Sequence, residues 1–416
     1  MTPDLFAALF LLLLGLMLAT ELWLSNRHAR YVELHRNRVP RWFQRRIPLK
    51  THRRSADYTI AKVRFGRFET LFGAVLLLGW TLGGGIDLLD GIWRATGWSE
   101  ITYGVAFLLS IMLLMTLLEL PASAYQAFRI EQRFGFNRMT AGLFIIDTAK
   151  HLLLSIVIGL PVAWAALALM ALSGQYWWLW LWFLWMGLTL FMVWAYPTLI
   201  APMFNRFRVL RDKSLRTRLM KLLKRTGFHS KGIYVINSSQ RTTHGNAYFT
   251  GFGASKRIVF FDSLLSRLRP AEVEAVVAHE LGHFKLGHIT KRLMLMALMS
   301  LGGLFVLGVI IDQPWFYQGL GVQRASPHTA LILFMLAGPV FTFFLQPLYA
   351  WGSRRHEYQA DDFAAKQTSA RLLISALVKL YRDNAATLTP DPVYSAFHDS
   401  HPPAMRRITN LLGQRR

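Results

Sequence analysis

His279-Glu280-Leu281-Gly282-His283 sets two imidazoles four positions apart, with a carboxylate next to the first. Residues four apart on a helix project from one face, so both rings can reach a single metal ion. Glu280 lies about a third of a turn away, close enough to hold a proton of a nearby water without serving as a ligand. The neighbours favour a helix. Pro270 suits a first helical position, Glu272 and Glu274 complement the positive end of the helix dipole, and Val273, Val276, Val277 and Leu281 supply an apolar face. The expected site is a zinc site with one ion per chain. Catalytic zinc usually takes three protein ligands and leaves one position open for water, so a third ligand must come from another part of the chain.

The chain has no Cys, which excludes disulfides and thiolate ligands and leaves His or carboxylate for the third position. A candidate lies in Ser353-Arg354-Arg355-His356-Glu357-Tyr358-Gln359-Ala360-Asp361-Asp362. If the preceding apolar segment continues as a helix, Glu357 and Asp361 share one face. Glu357 is then the natural third ligand, and Asp361 a carboxylate that orients a ligating histidine or passes a proton. Taken alone, the same stretch reads as a mixed-charge face where a helix leaves a membrane. His288, five beyond His283, faces elsewhere on a continuous helix and is not expected to be a ligand.

The elements that must position these residues are mostly apolar. Hydrophobic residues make up 53% of the 416 and charged ones 17%, with 14 Trp and 29 Phe, too little charge for a soluble surface. The 47 Lys and Arg against 23 Asp and Glu would suit nucleic acid, but the basic residues stand in blocks beside long apolar runs, which favours positive-inside membrane topology and no nucleic-acid partner. Leu5 to Leu24 is long enough to cross the ~30 Å hydrocarbon layer, and a cleaved signal peptide fits poorly because Asp4 precedes the run and the positive charges follow it. Further spans are expected at Phe68 to Leu89, Ile101 to Leu120, Leu152 to Leu172, Trp178 to Ile200, Leu293 to Ile311 and Thr329 to Ala350. Between Arg27 and Arg67, 13 Lys or Arg face two acids, the mark of a cytoplasmic loop. Seven crossings put the N-terminus outside, the C-terminus inside and every strongly basic loop on one side. Trp177, Trp178, Trp180, Trp182 and Trp185 cluster beside a short turn, as an interfacial belt would.

Pro202 to Arg292 is the largest polar segment and carries the metal motif. Gly232 to Asn237, Asn246 to Thr250 and Arg257 to Asp262 read as three short strands before the motif helix. In the commonest zinc-peptidase arrangement an edge strand of such a sheet pairs with extended substrate, and Asn246, Ala247 and Tyr248 are the candidate substrate-binding residues on that edge. An interior strand is the alternative.

The whole set resembles the type I CAAX prenyl endopeptidases, membrane zinc proteases. The match runs from about Arg129 onward through Glu131-Gln-Arg-Phe-Gly-Phe-Asn137, Tyr196 to Pro202 with Phe204-Asn205, Asn246 to Gly253, His279 to His283, Ser353-Arg354 with Glu357 and Ala360-Asp361, and His401-Pro402-Pro403 with Arg407. The resemblance implies His279, His283 and Glu357 as zinc ligands, Glu280 as general base and Asp361 as proton donor. It also implies a C-terminal stretch that returns His401 and Arg407 to the active site, where they bind the oxyanion or the substrate carbonyl. A short region between spans six and seven, and an end at Gly413-Gln-Arg-Arg416 without a retention signal, suit a bacterial inner-membrane relative.

The expected fold is mainly α, a polytopic membrane protein with seven transmembrane helices and a small zincin-like α+β catalytic segment. Its divisions are an N-terminal membrane region (1–201), the catalytic segment (202–292), the last two spans (293–352) and a C-terminal segment carrying the third ligand (353–416). The expected activity is peptide-bond hydrolysis on a peptide or protein substrate, membrane-associated or lipidated, at the bilayer. Two other readings compete: a membrane-protein quality-control protease without prenyl preference, and a seven-span transporter or receptor whose metal is structural. Against the second, the spans carry almost no mid-membrane ionisable residues, Glu21 and Glu119 lying near span ends. A reporter fused after Arg416 is expected to read as cytoplasmic, and a periplasmic signal would overturn the seven-span count.

Overall fold

The structure, a computed structural model, describes residues 1–250 and 256–413. The Gly251 to Gly253 part of the Asn246 motif and the last three residues of the chain lie outside them. In chain order the principal elements are α1 (Pro3–His35), α2 (Leu49–Trp80), α3 (Gly85–Arg94), α4 (Glu100–Tyr125), α5 (Ala141–Leu172) and α6 (Trp177–Ala195). Then come β1 (Phe207–Val209), α7 (Lys213–Arg225), β2 (Gly232–Ile236), β3 (Ala247–Thr250), β4 (Arg257–Phe261) and α8 (Pro270–Lys285). The chain closes with α9 (His288–Ile310), α10 (Pro327–Thr342), α11 (Gln346–Gln367), α12 (Ala370–Asp383), α13 (Pro392–His398) and α14 (Ala404–Gly413).

Among the described residues six helical stretches are long and apolar enough to cross a membrane, and the bent pair α2 and α3, taken as one span, makes a seventh. That matches the number of spans expected, although the second one is not straight. It breaks at the glycine run and turns by 48°. Gly84 adopts φ +76°, and a Cβ on Gly83 or Gly85 would stand 2.8 Å from the Gly79 carbonyl oxygen. Glycine is what lets the chain fold back this tightly.

The basic stretch from Arg27 to Arg67, expected as a loop, is largely helical, since α1 runs on to His35 and α2 starts at Leu49. Arg and Lys are good helix formers, so the end of an apolar run marks the end of the hydrocarbon layer and not the end of the helix. The short connection between them contributes Val39, Phe43 and Ile47 to the core of the catalytic unit. The tryptophan cluster also differs from a simple belt. Trp180 and Trp185 are exposed, but Trp177 is buried and the Trp182 indole donates to the Ala297 carbonyl at 3.0 Å.

The three strands expected from the sequence are present within a residue or two, joined by a fourth, β1. The order is β1-β2-β4-β3, with β2 and β4 parallel and the outer pairs antiparallel. Phe207 to Val209 is too short to show an alternation of its own. Among the described residues β3 pairs with β4 alone, in the register Ala247 opposite Phe260, which makes it an edge strand there.

Beneath the sheet one apolar core joins parts distant in sequence: Val39 to Ile47, Leu215 to Leu223 on α7, Ile258 and Phe260 on β4, Val273 to Leu281 on α8, Leu373 to Val378 on α12, and Ile408 and Leu411 on α14. The first turn of α8 is tied into this core by charge. The Glu272 side chain is fully buried and accepts from the Arg269 amide at 2.8 Å, Ser375 Oγ at 2.7 Å and Lys379 Nζ at 2.6 Å. Burial opposes its ionisation, but these donors outweigh it and hold the carboxyl at about 2, below its ordinary 4.5. A depressed acid stabilises the fold above its unfolded value, and that stability is lost as the pH falls from about 4.5 toward about 2. Glu272→Gln is therefore expected to lower the melting temperature in detergent by several degrees at pH 7, with the gap to the parent protein narrowing below about pH 4.5.

Candidate metal centre

Motif helix α8 crosses α11 at unusually short range. A Cβ on Gly282 would meet the Ala360 Cα at 3.0 Å and its carbonyl oxygen at 3.2 Å. The apparently free fourth position of the motif is thus constrained by packing, because a Cβ there would push the two backbones apart by a few tenths of an ångström. That approach places Glu357, one turn before Ala360 on α11, between the two imidazoles of α8.

The His279 and His283 Nε2 atoms lie 3.3 Å apart. Glu357 Oε2 is 3.5 Å from the first, and Oε1 is 3.2 Å from the second. All three side chains offer a ligand atom to one point. Glu357 Oε2 is buried with no hydrogen-bond partner. A buried carboxylate that faces two imidazole nitrogens, with one oxygen making no hydrogen bond, is a donor set that a cation among them would complete, so the residues present fit a metal ion.

What lies behind the two imidazoles supports the same conclusion. Asp361, fully buried, places Oδ1 2.9 Å from His279 Nδ1, which therefore carries the ring proton and leaves Nε2 as a lone pair facing the site. Arg407 on α14 donates to Asp361 through Nε at 2.8 Å and Nη2 at 2.5 Å, while its Nη1 is 3.6 Å from Glu357 Oε2. The C-terminal stretch does return to the site, with Ala404, Arg407, Ile408 and Leu411 buried. His401 is mostly exposed, its Nε2 3.4 Å from Glu357 Oε1 and its Nδ1 within 3.0 Å of Ser400 Oγ.

On the other side stands a residue whose role the sequence did not suggest. His288 Nδ1 is 3.1 Å from His283 Nδ1, its Nε2 is 2.9 Å from Gln359 Oε1, and its ring stacks on His356 at 4.1 Å. If Gln359 accepts from His288 Nε2, then His288 Nδ1 accepts from His283, and His283 Nε2 is left bare toward the site. The expectation that His288 is not one of the three converging residues holds. Its place behind His283 was hidden because Gly287, at φ +68°, ends α8 and starts α9 in a new direction. A five-residue offset on one continuous helix would have pointed it away.

Glu280 is half-buried, and no hydrogen bond ties its carboxylate among the described residues. Burial, aided by the charge of Glu357 and opposed by the imidazoles, pushes its carboxyl up from the ordinary value. The motif helix also packs against β3, where Ala247 and Phe249 turn into the core and Asn246 is exposed. The approach to β3 is bolted to the membrane helices. Arg241 makes two bonds to Asp147, at 2.7 and 3.0 Å, and the His244 ring stacks on Phe136 at 4.4 Å. Glu131 accepts from Tyr58 at 2.5 Å and lies 3.4 Å from His244.

Residues 28–206 match the family model of the CAAX prenyl protease N-terminal region with five membrane helices, and residues 209–415 match peptidase family M48. The chain is 36% identical to a CAAX prenyl protease 1 homolog of Arabidopsis thaliana over 76% of its own length and 75% of the relative's. The chain belongs to the M48 peptidases. It is also 32% identical to the CAAX prenyl protease 1 of Saccharomyces cerevisiae, covering 94% of this chain and 92% of that one. The crystal structure of S. mikatae Ste24p superposes with a TM-score of 0.89 at 28% identity, over 99% of both chains.

This M48 peptidase is thus an integral membrane metalloendopeptidase, and its family implies a metal cofactor. Because His288 sets the orientation of His283 without belonging to the converging trio, His288→Ala is expected to weaken metal affinity about 10–100-fold, measured by competition with a chelator, while the protein still folds.

Proposed function

We propose that the metal is a single zinc ion held by His279, His283 and Glu357, and that the chain cleaves peptide bonds of membrane-associated or lipidated proteins. The buried Glu357 carboxylate, which turns one oxygen to each imidazole nitrogen and whose Oε2 makes no hydrogen bond, carries this reading, since two nitrogens and one carboxylate are the donor set of catalytic zinc in peptidases. When bound, zinc supplies a Lewis acid for the scissile carbonyl and lowers the pKa of water from about 15.7 toward ~7.

The chain's own residues do the rest. Asp361 and His288 hold the ring protons at Nδ1 of His279 and His283, which keeps each Nε2 free. Glu280, with lone pairs unclaimed, takes the proton of the attacking water as the new C–O bond forms, and returns it to the nitrogen as the C–N bond breaks. Arg407, committed to Asp361 by two bonds, supports a positioning role, and so does Asp361 itself more than proton donation. The exposed His401, beside Glu357, is better placed to donate to the developing oxyanion. Extended substrate pairs with the free edge of β3 at Asn246, Ala247 and Tyr248.

We place the catalytic unit and the C-terminus on the cytoplasmic side and the N-terminus in the periplasm of a bacterial inner membrane. The alignment of all strongly basic segments on one side supports this topology. A specificity for prenylated peptides draws support from what the relatives are named for, CAAX prenyl proteases. A quality-control protease of broader reach shares the same centre.

Three measurements test the proposal on the purified chain: metal content, cleavage of a fluorogenic peptide with and without a farnesyl group, and the same assay with Glu280→Ala. One zinc per chain is expected in both proteins, with turnover at least 10²-fold lower in Glu280→Ala. Equal activity in the two proteins would remove Glu280 from the mechanism. Equal cleavage of farnesylated and plain peptide would favour the broader protease.

A further inference from the structure

A groove of about 1250 Å³ opens between α2 and α4, on the side of the catalytic unit, and takes no part in the chemistry above. It exceeds the ~300–1,000 Å³ of small-molecule pockets. Its deeper part is apolar, lined by Phe68 and Phe72 on α2 and Leu117 and Leu118 on α4, of which Phe68 and Leu117 are more than half exposed. At its mouth stand Arg64, Arg129 and Arg133, and no carboxylate lines it. From Arg64 to Phe72 the wall runs about 12 Å at 1.5 Å per residue, most of one hydrocarbon leaflet.

Several other basic residues in the neighbouring stretch are paired. Arg27 pairs with Asp391, Arg36 with Asp57, Arg53 with Asn37, Arg54 with the Phe134 carbonyl and Arg67 with Asn26. Arg64 and Arg129 have no acceptor among the described residues, and Arg133 has only the Phe134 ring, 5.6 Å away. All three are exposed. Positive-inside bias explains why arginines occur at this level, but not why three unpaired ones converge on the mouth of an apolar slot. A planar guanidinium fork matches a phosphate, and basic pockets between membrane helices on the cytoplasmic side suit anionic headgroups.

We propose that this groove binds one anionic diacyl phospholipid, with its phosphate on Arg64, Arg129 and Arg133 and an acyl chain along Phe68, Phe72 and Leu117. Ile130, which lines the groove, is followed by Glu131, whose carboxylate accepts from Tyr58. Lipid bound there would wedge α2 against α4 next to the Glu131 and His244 contacts that mount the substrate strand.

The test uses the full chain, delipidated in detergent and titrated separately with phosphatidylglycerol and phosphatidylcholine, with bound lipid counted by native mass spectrometry. One phosphatidylglycerol should be retained in preference to phosphatidylcholine, and each of Arg64→Gln, Arg129→Gln and Arg133→Gln should weaken it about fivefold, the equivalent of ~1 kcal/mol per charge. The triple variant should lose the preference, while a control with the same charge change outside the groove, Arg38→Gln with Arg41→Gln and Arg45→Gln, should keep it. Melting temperatures within a few degrees of the parent show that the variants fold, and the single variants serve if the triple one does not. The proposal fails if the triple variant retains the lipid, if the control loses it equally, or if inorganic phosphate displaces it as well as phosphatidylglycerol does. Displacement by a farnesylated peptide at equal concentration would also overturn it, giving the groove to substrate.

Discussion

The centre depends on one close contact, that of Gly282 on α8 with Ala360 on α11. Two imidazoles on a single helix offer only half a metal site, and the missing carboxylate must come within about 3.5 Å of both Nε2 atoms. It comes from a helix that continues a membrane span. With a side chain at position 282 the helices would have to part by a few tenths of an ångström. A shift of that size at the backbone is magnified at the end of a glutamate side chain. The Leu-Gly pair inside the motif is therefore as constrained as the histidines, though for packing and not for chemistry.

Around that contact the protein distributes the support of the site over separate segments. The ring of His279 is oriented by Asp361 from α11 and, through it, by Arg407 from α14. That of His283 is oriented by His288, which α9 contributes only because the chain turns at Gly287. Each of these groups is buried or half-buried and each has a partner. A lone buried charge would cost several kcal/mol, so removing one member exposes the others to that penalty. The same logic operates at the start of α8, where Glu272 is held ionised by Lys379, Ser375 and the Arg269 amide. The metal helix is thereby anchored at one end by charge and at the other by glycine packing.

The membrane helices do more than hold the catalytic unit at the bilayer. Asp147 on α5 holds Arg241 ahead of β3, Tyr58 on α2 bonds Glu131 beside His244, and the connection between α1 and α2 lends Phe43 to the catalytic core. The segment from Glu131 to Asn137, recognisable beforehand only as a family resemblance, is the joint between the two layers. Its phenylalanines are buried and its acid is bonded to Tyr58. An edge strand such as β3 gains from such a mount, because it has a neighbour on one side only.

Much of this was legible in the residues themselves. Helical spacing brought His279 and His283 to one face, and the alternation of apolar runs with basic blocks set the number of spans. A helix running on past the seventh span made Glu357 the third member of the set. These inferences succeed because they rest on periods that repeat within one element. What failed or stayed open needed contacts between elements. Arg27 to Arg67 read as a loop because charge marks the water boundary and not the helix end, and β1 was too short to carry a pattern. His288 was misplaced because one glycine changed the direction of the chain. The sequence determined which residues could bind a metal, while tertiary structure decided that Gly282 lets them meet, that Arg407 and His288 stand behind them, and that β3 lies at an edge. Those outcomes depend on distances across gaps in sequence that no local spacing encodes.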